Sequence, residues 1–250
     1  MSYLNKKDKM LQRRAIGHAF AVICLLGLAA LTGCGNAGEG GQKEGTGPGG
    51  AWEKHITEET VRLKGIEGEY TLLFLTDTHA IVQSQGASEQ EEANEEARYP
   101  TFFNEEGVPS AEQFPEWVRY ANENGVDAVL LGGDIIDTPS EANLRWLEEQ
   151  LGQLDMPYLY VNGNHDWTYP WEYMTEAGKE AYLRGIYPNE GSERFVSLTT
   201  AADSPVELVL AGHVHFYDRD VIEGERQVLQ LVGGAGSQGN AILVHITGGE

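Results

Sequence analysis

The stretch Leu72-Leu73-Phe74-Leu75-Thr76-Asp77-Thr78-His79 joins a short apolar run to two side chains that can bind a metal ion. An uninterrupted apolar run of this kind is typical of a strand that is buried on both faces. Asp77 and His79 stand two positions apart, so an extended backbone directs both side chains to the same side. The stretch therefore predicts a buried strand with a pair of candidate ligands at its carboxyl end.

Three further apolar runs end in the same manner. They are Ala128–Leu131 before Gly132-Gly133-Asp134, Tyr158–Val161 before Asn162-Gly163-Asn164-His165-Asp166, and Val206–Leu210 before Ala211-Gly212-His213-Val214-His215. A lone Asp or His after a strand is more often a cap or a turn residue. Because ligands bind beyond the carboxyl ends of strands in open α/β sheets, four such ends together predict one shared site.

Helical patterns lie between the apolar runs. One begins after Thr138-Pro139, where Pro suits the first turn of a helix, and an earlier one stops at Gly125. The apolar residues at helical spacing are Leu144, Leu147, Leu151 and Leu154 in the first pattern and Phe114, Trp117, Val118 and Ala121 in the other. Strands are expected again near 216–222, 226–232 and 240–247, whereas the acidic segment 83–98 is expected to be a solvated loop. Alternating strands and helices predict an α/β fold.

The N-terminus has the anatomy of an export signal. Residues 1–14 are polar and basic, residues 15–32 are almost entirely apolar, and the small residue Gly33 precedes Cys34. Cys34, at the expected cleavage site, resembles the cysteine of a bacterial lipobox. This resemblance implies cleavage after Gly33 and a diacylglyceryl anchor on Cys34. The alternative is a retained membrane anchor in which Cys34 is incidental.

We expect three segments, namely a signal peptide over 1–33, a lipidated tether over 34–51 and one domain over 52–250. The tether is polar and rich in glycine, as flexible linkers are. The protein is therefore expected to be exported and lipid-anchored on the outer side of the cell membrane. Because the two cysteines are Cys24 and Cys34, the domain has neither a disulfide nor thiolate chemistry.

The charge of the chain argues against nucleic acid as a partner. Behind residue 33 there are 12 basic and 38 acidic groups, a net charge of −26. Such a field repels a polyanion and gives no polybasic hold on anionic lipid. Anionic substrates remain compatible, because bound divalent cations reverse the local sign. With Asp, His and Asn as ligands, Mn, Fe or Zn is the expected metal.

Four short motifs occur in a fixed order. They are DTH (77–79), GGDIID (132–137), GNHD (163–166) and GHVH (212–215). Together they resemble the calcineurin-like metallophosphoesterase superfamily over residues 70 to about 247. The resemblance implies a sandwich of two β-sheets flanked by helices, with a dinuclear metal centre. It also implies metal-dependent hydrolysis of phosphate mono- or diesters.

The resemblance further implies a ligand set for each metal ion. The ligands of the first ion are Asp77, His79, Asp134 and His215. The second ion is bound by Asn164 and His213, and Asp134 bridges the two ions. Six residues would therefore hold the dinuclear centre.

The resemblance assigns catalytic roles to two residues of the GNHD motif. His165 is expected to lie near the metals without binding them and to donate a proton to the leaving group. Asp166 is expected to orient His165. Asp137 is expected to hold the metal ligands in position.

One histidine of the family pattern is missing. The pattern has another histidine between GNHD and GHxH, usually after a further apolar strand, whereas residues 167–212 contain none. We expect that a helix and a strand are absent here, and that water or Glu replaces one ligand of the second ion. The alternative to an enzyme is a catalytically weak or inactive lipoprotein that binds a phosphorylated ligand or partner through the same fold.

Aromatic residues follow the GNHD motif directly. They are Trp167, Tyr169, Trp171 and Tyr173. They could form a wall that stacks on a ring of the substrate, although packing is the more usual role of such residues. Arg98 and Tyr99 could reach a phosphate, although an arginine among many glutamates is more often part of a surface charge pair.

Overall fold

Two β-sheets and four α-helices form the part of the chain that the structure describes. This computed structural model describes residues 23–26, 52–83, 87–169, 171 and 189–249. The strands are β1 (Ile23–Leu26), β2 (His55–Lys64), β3 (Glu69–Leu75), β4 (Ala128–Leu131), β5 (Tyr158–Tyr160), β6 (Leu208–Gly212), β7 (Asp218–Ile222), β8 (Val228–Val232) and β9 (Asn240–Gly249). The helices are α1 (Glu89–Arg98), α2 (Ser110–Asn124), α3 (Glu141–Leu151) and α4 (Asn189–Thr200), with short 3-10 helices at Tyr99–Phe102 and Gly236–Gln238.

The strands form two mixed sheets. The larger sheet has the order β2-β9-β3-β4-β5, and the smaller one has the order β1-β6-β8-β7. In the larger sheet β3, β4 and β5 run parallel, with Leu75 opposite Leu131 and Leu131 opposite Tyr160. These three strands end at the same level, so the loops that follow them begin side by side.

The two sheets pack face to face through an apolar cluster. Phe74 of the larger sheet and Leu210 of the smaller sheet belong to it. Leu73 lies instead in a second cluster on the outer face of the larger sheet, together with Trp117 of α2 and Leu147 of α3. Neighbouring residues of β3 thus serve two cores, which is why its apolar run is uninterrupted. The expected α/β sandwich of two sheets flanked by helices is confirmed.

The strand β5 departs from the expected burial on both faces. Its residues Tyr158 and Leu159 are exposed, and Leu159 retains 57% of its accessible surface. β5 is the last strand in the order of the larger sheet. One of its edges therefore has no neighbour among the described strands.

Helices α2 and α3 confirm the two helical patterns, with shifted starts. α2 begins at Ser110, so Pro115 lies inside the helix, and Gly125 ends it in the left-handed conformation at φ 62°. α3 begins directly behind its N-cap, Ser140. Pro139 therefore precedes the cap, and the expectation that it occupies the first turn is wrong.

The expectation of a solvated loop over 83–98 is wrong for its second half, which forms α1. A capping box begins this helix: the Ser88 hydroxyl accepts the Glu91 N–H, and the Glu91 carboxylate accepts the Ser88 N–H. Acidic residues in the first turn and Arg98 in the last turn complement the helix dipole. Because Glu, Gln, Ala and Arg are good helix formers, local signals prevail here over the lack of apolar periodicity.

The region before β6 contains the helix α4, and no strand occurs between β5 and β6 in the described residues. Residues 170 and 172–188 lie outside that part of the chain, so the missing helix–strand segment stays a prediction.

The edge of β6 pairs with β1, which falls within the expected signal peptide. The rest of that peptide and the tether lie outside the described residues. None of the helices seen in the described ranges is long and apolar enough to cross a membrane.

Candidate metal centre

The loop after β3 lies at the centre of the converging strand ends. Asp77 donates its backbone N–H to the Gly133 oxygen over 3.0 Å, and His79 donates its own to the Asp134 oxygen over 2.8 Å. From the smaller sheet, the His213 N–H donates to Asp77 Oδ2 at 2.8 Å. Loops from both sheets therefore meet at one place, as the sequence predicts.

The GNHD motif joins the same cluster through Asp134. Asp134 Oδ1 accepts the His165 N–H at 2.9 Å. A Cβ atom added at Gly163 would lie 2.2 Å from this oxygen, so only glycine permits so close an approach. Asn164, which is buried, follows Gly163 and precedes His165. Both of its neighbours in the chain therefore approach the carboxylate that is expected to bridge the ions.

Left-handed backbone conformations mark the predicted ligands. In the described residues, five residues other than glycine have a positive φ, between 45° and 77°. They are Asp77, His79, Asp134, His213 and His215. Each such conformation costs on the order of 1–3 kcal/mol and persists only where the surroundings enforce it. The chain thus tolerates backbone strain at five of the six positions that the sequence assigns to metal binding.

Three of the predicted ligands form a close group. The ligand atoms of Asp77, His79 and His215 lie within 4.8 Å of one another, and His215 Nε2 is 3.4 Å from Asp77 Oδ1. Asp77 and His79 are buried, whereas His215 is exposed. The group is therefore open toward solvent on one side, as catalytic metal sites are.

The buried imidazole of His79 has one nitrogen without a partner. Its Nδ1 lies 3.2 Å from Asp137 Oδ1, while Nε2 is buried and makes no hydrogen bond. Leaving a buried polar atom unpaired costs about 1–3 kcal/mol. Burial also lowers the pKa of His79, which favours the neutral ring that metals bind. A cation held with Asp77 and His215 would satisfy Nε2, so these residues fit a metal ion.

The second predicted ligand set has one ligand fewer than the first, and one of its three ligands is an amide, Asn164. Two groups of His, Cys, Asp or Glu that could hold an ion occur in the described residues, and neither includes Asp134 or His213. His213 is exposed, whereas Asp134 and Asn164 are buried. Among the predicted acidic and histidine ligands, Asp77, His79 and His215 therefore form a close group of three in the described residues.

The other group of potential ligands comprises His79, Asp137 and His165. Arg98 already occupies its carboxylate, because Nε lies 2.5 Å from Oδ2 and Nη2 lies 2.6 Å from Oδ1. Burial by itself raises the pKa of Asp137, but hydrogen bonds from Arg98 and both histidines hold it well below its ordinary value. We therefore interpret this group as an ion-pair network and not as a second metal site.

The ring of His165 contacts Asp137 through Nδ1. The ring nitrogen lies 3.2 Å from Asp137 Oδ1 and 3.0 Å from the Asp137 backbone oxygen. Burial lowers the pKa of His165, but Asp137 outweighs this effect and the pKa is raised. The resemblance assigns the orientation of His165 to Asp166, whereas the ring contact seen here belongs to Asp137.

Asp166 ties two loops together. Its carboxylate accepts the backbone N–H groups of Asp134, Ile135, Ile136 and Gly163 at 2.8–3.1 Å. Burial raises the pKa of Asp166 to about 6. These contacts fix the loop that carries Asp134 against the GNHD loop. A direct part of Asp166 in catalysis stays a prediction.

Arg98 is the site residue that the sequence does not reveal. Its residue type suggests a phosphate contact or a surface charge pair, whereas the structure places it against the buried Asp137 carboxylate. The two residues are 39 positions apart, and α1 itself is unexpected, so no local signal points to the pair. The neighbouring Tyr99 packs edge to face against Phe103, with ring centroids 5.0 Å apart.

The aromatic residues behind the GNHD motif divide between two situations. Tyr169 and Trp171 stack on each other with centroids 4.5 Å apart, and the Tyr169 hydroxyl donates to Glu91 Oε1 at 3.0 Å. Trp167 is half exposed. Tyr169 and Trp171 therefore pack against each other, a stacking wall for a substrate ring stays a prediction, and Tyr173 lies outside the described residues.

Comparison with protein families bears on what this arrangement does. The family model described as calcineurin-like phosphoesterase matches residues 70–213, more than half of the chain. The chain belongs to the calcineurin-like phosphoesterase family. The match begins in β3 and ends at His213, so it includes the loops that carry Asp77, Asp134 and Asn164. The resemblance carried by the four motifs is confirmed.

Solved structures that match this phosphoesterase include the crystal structure of a dimetal phosphatase from Danio rerio. The two chains share 11% sequence identity with a TM-score of 0.40, and the match covers 68% of this chain and 88% of the other. No curated relative matches the chain. The family model and the site together make the protein a metal-binding phosphoesterase in general terms.

Proposed function

We propose that this phosphoesterase hydrolyses phosphate monoesters or diesters with the help of two divalent metal ions. The observation that carries the proposal is the buried, unpartnered Nε2 of His79 beside Asp77 and His215. Carboxylate and imidazole ligands suit Mn, Fe or Zn. When bound, a pair of such ions clamps the phosphate and lowers the pKa of a water molecule.

Asp134 is the residue that would hold both ions. Its backbone oxygen accepts the His79 N–H, and its Oδ1 accepts the His165 N–H, so it lies between the DTH and GNHD loops. Asp77, His79 and His215 would hold the first ion together with it. Asn164 and His213 would hold the second ion together with it.

His165 is the proposed proton donor to the leaving group. Because Nδ1 is directed at Asp137, the proton to be transferred is the one on Nε2. Hydrolysis joins a water oxygen to phosphorus and breaks the bond to the leaving oxygen, which takes this proton. The raised pKa of His165 favours the protonated ring that a general acid requires.

We further propose that the protein is exported and anchored to the outer side of the cell membrane by lipid on Cys34. The support is the order of a basic segment, an apolar segment and Leu31-Thr32-Gly33-Cys34. The two or three acyl chains of a lipoprotein hold a protein at a membrane, whereas one chain holds it only marginally. The net charge of −26 behind residue 33 supports a substrate other than nucleic acid.

A second candidate is a lipoprotein that binds a phosphorylated ligand with little or no turnover. The absence of any histidine in residues 167–212 favours it, because the second ion then has fewer protein ligands. Both candidates bind metal and phosphate. They differ in turnover alone.

Metal-dependent turnover separates the two candidates. The purified protein is given Mn²⁺ with p-nitrophenyl phosphate, bis-p-nitrophenyl phosphate and phenyl phosphate. His165→Ala is compared with His55→Ala, which removes an exposed histidine of β2. We expect Mn-dependent hydrolysis by the wild type and His55→Ala. Loss of general acid catalysis in His165→Ala should slow turnover of the poor leaving group of phenyl phosphate by about 100-fold.

The control substrates make the result specific. The nitrophenyl esters have a good leaving group, so His165→Ala should affect them less than phenyl phosphate. Phosphate binding without hydrolysis of any ester would support the second candidate and contradict the enzyme.

A further inference from the structure

Arg98 reaches the metal centre from a helix that carries none of the four motifs. It is the last residue of α1 and the one basic residue of that helix. Its Nε lies 2.5 Å from Asp137 Oδ2, and its Nη2 lies 2.6 Å from Oδ1. The Asp137 side chain is completely buried, and that of Arg98 is 31% exposed. A bidentate pair of this kind fixes the orientation of the carboxylate as well as its position.

Asp137 transmits this orientation to two imidazoles. Its Oδ1 lies 3.2 Å from Nδ1 of His79 and 3.2 Å from Nδ1 of His165. A carboxylate that faces Nδ1 sets the tautomer and the direction of the ring, and so determines what Nε2 can do. One carboxylate therefore orients a metal ligand and the proposed proton donor together.

Phe102 provides a second link between Arg98 and His79. The guanidinium carbon of Arg98 lies 5.1 Å from the centroid of the Phe102 ring. The His79 ring stacks on Phe102 with centroids 4.6 Å apart and an interplanar angle of 9°. Phe102 belongs to the 3-10 helix that follows α1. This part of the chain therefore reaches His79 directly through Phe102 and indirectly through Arg98 and Asp137.

We propose that Arg98 is a positioning residue, which anchors the Asp137 carboxylate so that His79 presents Nε2 for metal binding and His165 presents Nε2 to the leaving group. Without the guanidinium, Asp137 loses two charge-assisted bonds and is free to rotate away from one of the rings. The role of Arg98 toward His165 rests on the proposed function, in which His165 donates a proton. Its role toward His79 concerns metal binding alone.

A direct contact of Arg98 with the substrate phosphate would have different consequences. A guanidinium that binds the phosphate equally in the ground state and the transition state changes KM and leaves kcat unchanged. A residue that orients ligands changes metal affinity and kcat instead. The two nitrogens of Arg98 that bind Asp137 favour the orienting role.

The test compares Arg98→Gln and Arg98→Lys with Arg145→Gln. Arg145 is an exposed arginine of α3 that pairs with Glu141, so its variant controls for the loss of a helical arginine. Calorimetry measures the binding of Mn²⁺ to metal-depleted protein, and ¹⁵N NMR reports the tautomers of the histidine rings. Neither readout requires turnover. kcat and KM are then measured with p-nitrophenyl phosphate and phenyl phosphate.

We expect Arg98→Gln to weaken Mn²⁺ binding by about 10- to 100-fold, the range found when a partner of a metal ligand is removed. kcat for phenyl phosphate should fall with little change in KM, and the ring spectra of His79 and His165 should show mixed tautomers. Arg98→Lys should recover only part of the loss, because an ammonium cannot form the bidentate pair. Arg145→Gln should match the wild type.

Unchanged Mn²⁺ affinity and unchanged ring spectra in Arg98→Gln would overturn the proposal, as would a raised KM with unchanged kcat. If the wild type hydrolyses none of the esters, the proposed function fails, while metal binding and ring tautomers still decide the role of Arg98. If Arg98→Gln does not fold, the same measurements on Arg98→Lys decide it.

Discussion

The two predicted ligand sets differ in the number and the type of their ligands. In the first set, the ligand atoms of Asp77, His79 and His215 lie within 4.8 Å of one another, and His79 Nε2 lacks a partner. The second set consists of Asp134, Asn164 and His213. It has three predicted ligands against four in the first set, and one of the three is an amide. From these ligand sets we expect a chain with all four family motifs to offer two unequal metal positions.

The inequality lies in the ligands and not in the backbone that carries them. Left-handed residues occur in both sets, at His79 in the first and at His213 in the second. Both loops are thus shaped in the strained manner of functional sites. What differs is the number of predicted ligands, and residues 167–212 contain no histidine that could add to the second set.

Replacing Asp134 should have the largest effect, because it alone serves both sets. Asp134→Asn removes a negative charge between the ions and should lower kcat/KM by more than about 100-fold, beyond the range for residues that only support ligands. Asp155→Asn, at an exposed aspartate, is the matched control and should keep full activity. Steady-state kinetics at saturating Mn²⁺ check this prediction. Full activity in Asp134→Asn would contradict a centre that uses two ions.

A pair of histidine variants compares the two sets directly. His79→Asn removes a ligand of the set with more ligands and should abolish the tightly held ion. His213→Asn should leave that ion in place and weaken only the second one, so added Mn²⁺ restores less activity. Metal content after dialysis is measured by mass spectrometry, with His55→Asn as the control. Equal metal content in the His79 and His213 variants would show that the two sets are equally strong.

A smaller effect is expected from Gly212→Ala, which disturbs the first set without removing a ligand. A Cβ at this position would lie 2.0 Å from Thr76 Oγ1 and 2.5 Å from Asp77 Oδ2. Overpacking of this kind lowers the free energy of unfolding by about 1–3 kcal/mol, and here it also pushes His213 and His215 away from Asp77. The free energy of unfolding, measured with denaturant, and the affinity for Mn²⁺ should both decrease.

Gly249→Ala is the control for this variant, because its Cβ would meet no atom closer than 3.6 Å. It should leave the free energy of unfolding and the affinity for Mn²⁺ unchanged. If Gly212→Ala behaves in the same way, the contact between β6 and Asp77 does not help to shape the first set.

Cys34→Ser should not change metal binding at either ligand set. The variant should have the wild-type kcat and KM, but it should leave the membrane fraction or accumulate unprocessed, because the lipid anchor is lost. Cys24→Ser, within the apolar segment, is the matched control and should remain membrane-bound. Detergent partitioning of both variants makes the comparison. Retention of Cys34→Ser in the membrane would favour a retained anchor in which Cys34 is incidental.

The place of the site could be predicted from the sequence, because strand ends at one sheet edge bring their following residues together. Asp77 and Asp134 follow apolar runs after a short interval of small residues, and β3 and β4 do pair in parallel. The apolar run of β3 also predicts the two cores that it serves. These features depend on residue type and local order, which a sequence shows.

The remaining features depend on contacts between distant parts of the chain. The pair of Arg98 and Asp137 arises from a helix whose acidic composition suggests a loop. Asp166 stands next to His165 in the sequence, yet its carboxylate turns toward the backbone of Asp134, and Asp137 faces the ring. Only the path of the loops determines which carboxylate meets which partner.

The number of metal ions per chain after dialysis tests the unequal ligand sets most directly. Unequal sets predict about one tightly held ion per chain, since the set with more ligands binds more strongly. Activity of the same dialysed sample should rise when Mn²⁺ is added in the millimolar range, because refilling the second position restores the clamp on the phosphate. Two ions held equally through dialysis, with no response to added Mn²⁺, would contradict this and show that a further residue completes the second set.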